Sequence, residues 1–129
     1  MIKEIRSGET LCALHIAHDA SVVGTVPITA SDFPLQLLLI QRETGSVFAK
    51  HIHKKLERTT NALQESLVVL EGLIRIHICT REGVAVETIE VGTGECFFLV
   101  DGGFEIEVLK PTRMYEFKNG PHLDDKVML

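Results

Sequence analysis

The feature that most constrains this chain is a period of two. In stretches such as LIRIHICT (residues 73–80) and VAVETIEV (84–91) apolar residues recur at every second position. A strand gathers such residues onto one face, whereas a helix scatters them around its axis. Similar runs fall at 10–17 (TLCALHIA), 35–42 (LQLLLIQR), 46–53 (SVFAKHIH), 65–72 (ESLVVLEG), 95–100 (ECFFLV), 104–109 (FEIEVL) and 113–118 (RMYEFK). Turn residues separate them: Gly24, SDFP at 31–34, ETG at 43–45, REG at 81–83, GTG at 92–94, DGG at 101–103 and KPT at 110–112. Many short strands joined by tight turns predict an all-β chain, an antiparallel sandwich or barrel. Only 54–63, KKLERTTNAL, lacks the pattern and reads as a loop or one short helical turn. Pro27, Pro34, Pro111 and Pro121 all fall at or outside the ends of these runs, as the missing amide of proline requires. The polar tail from Lys118 onward is expected to lie across the surface or against a neighbouring subunit.

A chain of 129 residues fits a single domain, 1–129, with a core of its own. Its hydrophobic share of 45% and charged share of 24% are those of a soluble globular protein. The net charge of −5 comes without a basic stripe, so no nucleic-acid partner is expected. The first ten residues, MIKEIRSGET, contain no apolar signal core, and LQLLLI is far too short to span a bilayer. A cytoplasmic protein with no membrane partner is the expectation. Cys12, Cys79 and Cys96 are odd in number and match no zinc-finger spacing, which reads as reduced residues buried in strands.

Chemistry concentrates in residues 45–72. Alternate residues of a strand share a face, so His51 and His53 project side by side while Lys50, Ile52 and Lys54 face the other way. Glu65 leads an apolar row with Leu67 and Val69, and a carboxylate at the head of such a row needs a partner. If the two strands meet on one inner face, two imidazoles and a carboxylate suit one divalent ion. A merely solvated histidine pair is the alternative that this spacing leaves open.

GSVFAKHIH fits G-x5-H-x-H and ESLVVLEG fits E-x6-G. Together these resemble the first motif of the cupin superfamily, and the likeness extends through GTGECFFLVDGG and YEFKNGPHLDDK to a group of small single-domain bacterial cupins, some associated with surface-polysaccharide and sugar-nucleotide genes. The resemblance implies a double-stranded β-helix, or jelly-roll, barrel, a homodimer, and metal ligation by His51, His53 and Glu65. Eleven residues separate His53 from Glu65, more than cupins usually have. Glu57 would satisfy the shorter spacing but is not followed by an apolar strand.

The second cupin motif is incomplete. Its histidine would align with Glu105, or with Phe104 in the small-cupin pattern. Alternation puts Phe104, Ile106 and Val108 on one face and Glu105, Glu107 and Leu109 on the other, which favours Phe104 inside. A bulge at Gly102 and Gly103 would reverse this and make Glu105 a fourth ligand. The set His51, His53 and Glu65, with or without Glu105, suits Fe(II) and also accepts Zn, Mn or Ni.

The functional expectation is a metal-binding cupin acting on a small sugar-derived or carboxylated ligand, with a non-catalytic binding or sensing barrel as the alternative. Gln41, Glu57, Arg58 and Tyr115 are candidate pocket residues, and Lys54, Lys55 and Arg58 are candidates for holding an anion. His77 reads as exposed, His15 and His18 as structural, and His122 as a residue able to approach the barrel mouth.

Overall fold

The computed structural model describes residues 1–129 and is all-β, with no helix. Eight strands form: β1 (Ile2–Ser7), β2 (Thr10–Ile16), β3 (Gly24–Pro27), β4 (Leu38–Gln41), β5 (Glu65–Cys79), β6 (Ala85–Gly92), β7 (Cys96–Leu99) and β8 (Gly103–Lys118). Six make one antiparallel sheet in the order β1-β2-β7-β5-β6, with β8 along the other edge of β5, while β3 and β4 form a separate two-stranded ribbon. The large sheet curls into a half-barrel until β1 approaches β6, where Lys3 meets the Glu87 carboxylate.

The strand β5 is the spine. Its first residues pair with β7, its last with β6, and nearly its full length with β8 on the opposite side. Sequence patterning divides it in two at Gly72, yet the backbone runs on through a bend. Gly72 has φ +120°, and a Cβ there would stand 2.6 Å from the Pro111 carbonyl oxygen and 2.3 Å from Thr112 Oγ1. The register with β8 shifts on both sides of this point. The expected strands at 104–109 and 113–118 likewise merge into β8, so Pro111 lies within a strand rather than between two. It is tolerated because β8 is an edge strand and the ladder is already interrupted there.

Alternation sorts the core onto two faces. Inside the curl, Ile5, Ala13, Leu67, Val69, Ile74, Ile76, Ile78, Ile89, Val91, Phe97 and Leu99 pack together, with Phe104, Ile106 and Met114 against them. On the outer face Leu14, Ile16 and Phe98 are covered by Ile28, Phe33, Leu35 and Leu37. Thr29 and Gln36 hold this covering segment: the Leu37 amide donates to Thr29 Oγ1 at 3.0 Å, and Gln36 Nε2 donates to the Ala30 carbonyl at 2.8 Å. No helix is long and apolar enough to cross a membrane.

One predicted strand does not form. Residues 46–53 have no strand pairing, and every residue from 41 to 63 is exposed. Alternation alone does not make a strand, because the extended backbone has to find a pairing edge and this segment reaches none in the single chain. Two short strands that patterning missed, β1 and β3, form because β2 and β4 supply such edges.

Candidate functional site

Glu65 opens β5 at one end of the curled sheet. Its neighbours in register are Leu99 on β7 and Lys118 on β8, and it shares the inner face with Leu67, Phe97 and Val69. Burial raises the Glu65 pKa above its ordinary value of 4.5, and Glu116 adds to the rise by repulsion and by a side-chain hydrogen bond, against the opposing pull of Lys118 and Lys126. A carboxyl group held this way at the head of an apolar face favours a cationic or proton-donating guest.

The mouth around Glu65 is framed by a polar brace that patterning did not reveal. Gln64 is only 4% exposed. Its backbone N–H donates to Asn119 Oδ1 at 2.8 Å, its Nε2 donates to the Val100 carbonyl at 3.3 Å, and its Oε1 accepts the Leu35 amide at 3.2 Å. Asn119 Nδ2 in turn donates to the Ala62 carbonyl at 3.0 Å and to Thr60 Oγ1 at 3.3 Å. Each polar group answers another, so the start of β5 is fixed in place. Beside it a cleft of about 170 Å³ is lined by Leu63, Lys118, Asn119, Pro121, His122 and Asp125, which puts His122 close to the root of this brace.

His51 and His53 lie elsewhere. They sit in the exposed 41–63 arm, with ring centroids 5.3 Å apart and His51 Nδ1 2.7 Å from the Ala49 carbonyl. Lys54, Lys55, Glu57 and Arg58 extend from the same arm into solvent. Phe104 points inward, its ring 5.6 Å from that of Phe97, while Glu105 is exposed on the opposite face beside His77. Gly102 has φ +115°, but it does not turn Glu105 inward. The expected donors His51, His53, Glu65 and Glu105 are therefore divided between an arm, a mouth and an outer face. Within one copy no three His, Cys, Asp or Glu side chains converge as a metal-binding group. As folded in a single chain, the residues do not fit the ion.

The other candidates have plainer roles. Gln41 Oε1 accepts the Val22 amide at 3.0 Å, which ties β4 to the segment before β3. Tyr115 is exposed and meets Phe117 edge to face. His77 is half-exposed between Thr88 Oγ1, at 2.9 Å, and the Glu107 carboxylate, which the imidazole holds below its usual pKa. His15 and His18 both serve Glu95. This carboxylate accepts the amides of Gly92 and His18 at 3.0 Å each and approaches His15 Nε2 at 3.3 Å. Burial alone would raise its pKa, but these hydrogen bonds outweigh burial and lower it. All three cysteines are free, and burial raises the pKa of Cys96 against a contact with Ser66 Oγ.

No protein-family model, curated protein or solved structure matches the chain. An all-β architecture with a curled antiparallel sheet, compatible with a cupin-like barrel, is what the fold itself establishes.

Proposed function

We propose that this chain is a metal-binding barrel of the cupin type, a double-stranded β-helix that takes a small sugar-derived or carboxylated molecule at the mouth around Glu65. The single observation that carries this reading is Glu65 itself. A half-buried carboxyl group with a raised proton affinity, set at the end of an otherwise apolar inner face, is costly to the fold and calls for a functional partner. The pair His51 and His53, on the exposed arm, is of the donor type that would complete a two-histidine, one-carboxylate set.

A second reading, a non-catalytic binding or sensing barrel, is favoured by Phe104. Where a third histidine would stand, an aromatic ring packs into the core against Phe97. The two readings part on metal content. Protein purified without chelator or histidine tag is expected to carry about one transition-metal ion per chain, and His51→Ala/His53→Ala almost none. Equal and negligible content in both sinks the metal reading and leaves the binding barrel. Dioxygen-consumption and sugar-nucleotide isomerisation assays with Fe(II), Mn(II) and Zn(II) then test for turnover in the loaded protein.

A further inference from the structure

Strands β5 and β8 make one long bent ribbon, and its two ends approach each other across the inner face. Glu65 stands opposite Lys118 at one end and Cys79 opposite Gly103 at the other, with the bend at Gly72 between them. The approach is marked by Phe97, in register with Leu67 near the first end. Its ring lies 5.6 Å from that of Phe104, the partner of Ile78 near the second. The mouth around Glu65 is the gap between these ends. The chain leaves β8 at Lys118 on one rim, and at Leu129 it touches the other. A Cβ on Gly103 would stand 3.3 Å from Leu129 Cδ1, and one on Gly83, in the connection from β5 to β6, 3.9 Å from Leu129 Cβ.

We propose that residues 120–129 are a lid over the mouth around Glu65, hinged at Asn119 and latched on the far rim by Leu129. Three observations carry this. Asn119 is fixed to the body by its bonds with Gln64, Ala62 and Thr60, whereas a Cβ on Gly120, the next residue, would meet open space. Beyond Asn119 no backbone hydrogen bond holds the segment, and every residue of 120–129 is exposed, so it swings without breaking a ladder. The segment also roofs a space instead of packing flat. The cleft of about 170 Å³ is lined both by Leu63 and Lys118 of the body and by Pro121, His122, Leu123 and Asp125 of the segment. Finally, Lys126 lies over the mouth, near enough to Glu65 for its charge to act on that carboxyl group.

The latch is light. Glycine at both seats leaves room for the Leu129 side chain, which stays 74% exposed and holds by apolar contact alone. Ten residues extend to about 35 Å, more than the roughly 10 Å between packed layers, so the segment has slack to lift and return. A guest entering at this mouth has to move Leu129 off Gly83 and Gly103 and Lys126 away from Glu65, so the latch sets how often the mouth is open. The lid rests on the functional reading above only in that the mouth around Glu65 is the site. It needs neither a metal ion nor the arm.

Cross-linking with a water-soluble carbodiimide tests the lid in metal-free protein. Wild type is expected to form an amide within one chain between Lys126 and Glu65 or Glu116, read by peptide mass spectrometry. Beside it stands the link between Lys118 and Glu116, neighbours 3.6 Å apart on β8, as an internal control. Leu129→Ser alters an exposed residue and should keep the wild-type circular dichroism spectrum. It should lower the Lys126 link several-fold and leave the Lys118 link unchanged. Cys79 Sγ lies 3.1 Å from the same Gly103 Cβ position that Leu129 approaches, so a thiol reagent should label Cys79 several-fold faster once the latch is lost, while buried Cys12 stays slow. No Lys126 link in wild type, or one formed only between two chains at doubled mass, overturns the lid. So does a Leu129→Ser protein in which either the link or the Cys79 rate keeps its wild-type value. Negligible metal content in the measurement above sinks the metal reading by itself, and the cross-link still decides the lid.

Discussion

Residues 65–72 and 46–53 carry the same alternating pattern and have opposite fates. ESLVVLEG became the start of β5, paired on both sides, with Ser66, Leu67 and Val69 buried. SVFAKHIH remained exposed, without a partner. Both have the composition of strands, so composition does not separate them. What separates them is access to an edge: β7 and β8 flank β5, whereas no strand of the same molecule flanks the arm. Alternation tells which side chains would share a face, and topology decides whether there is a sheet to present them.

The largest effect that would break this contrast lies in the core. Phe97→Ala is expected to cost about 3–5 kcal/mol in chemical denaturation, because the ring is almost fully buried between Phe104 and Leu67. Phe48→Ala should stay within about 0.5 kcal/mol of wild type, since the ring is mostly exposed. Comparable losses for the two would mean that the arm is packed in the single chain.

Glycines sharpen the comparison at intermediate size. Gly72→Ala meets both a left-handed backbone and the Pro111 carbonyl, and should lose more than about 2 kcal/mol. Gly45→Ala, with φ +90° but open space around it, should lose about 1 kcal/mol.

The two half-buried carboxylates give the most diagnostic effects, of opposite sign. The lowered pKa of Glu95 means that its contribution is present above the ordinary carboxylate value of 4.5 and is lost as pH falls through the lower folded value. Glu95→Gln should therefore destabilise at pH 7 by about 1–2 kcal/mol and lose that difference in acid. For Glu65 the shift is upward, so its protonated form favours the fold below pH 4.5 and that advantage disappears as pH rises through the raised value. In metal-free protein Glu65→Gln should raise Tm at pH 7 and leave it unchanged in acid. A fall in Tm at pH 7 would mean that the ionised carboxylate is already paired.

Much of the sheet was legible. The alternation of FEIEVL put Phe104 and Ile106 inward and Glu105 and Glu107 outward, and the backbone does the same because Ile78 and Ile76 receive the apolar pair across the ladder. What patterning divided at Gly72 and Pro111, the structure joined, since a glycine and a proline facing each other make one shared bend in a ribbon rather than two separate turns. The brace of Gln64 and Asn119 and the role of Glu95 were not legible. Apart from the local bond of the Gly92 amide to Glu95, their hydrogen bonds join residues 29–80 positions apart, and no local spacing announces such pairs.

The Gln64 brace also sets how damage to the arm would spread. Leu63 is exposed and Gln64 is buried, so the boundary between cleavable and protected chain is one residue wide. A trypsin-like protease has Lys50, Lys54, Lys55 and Arg58 within easy reach, and then meets backbone locked by the amides of Gln64 and Leu35. A nicked chain would remain one folded particle, its two fragments held by the β2–β7 pairing.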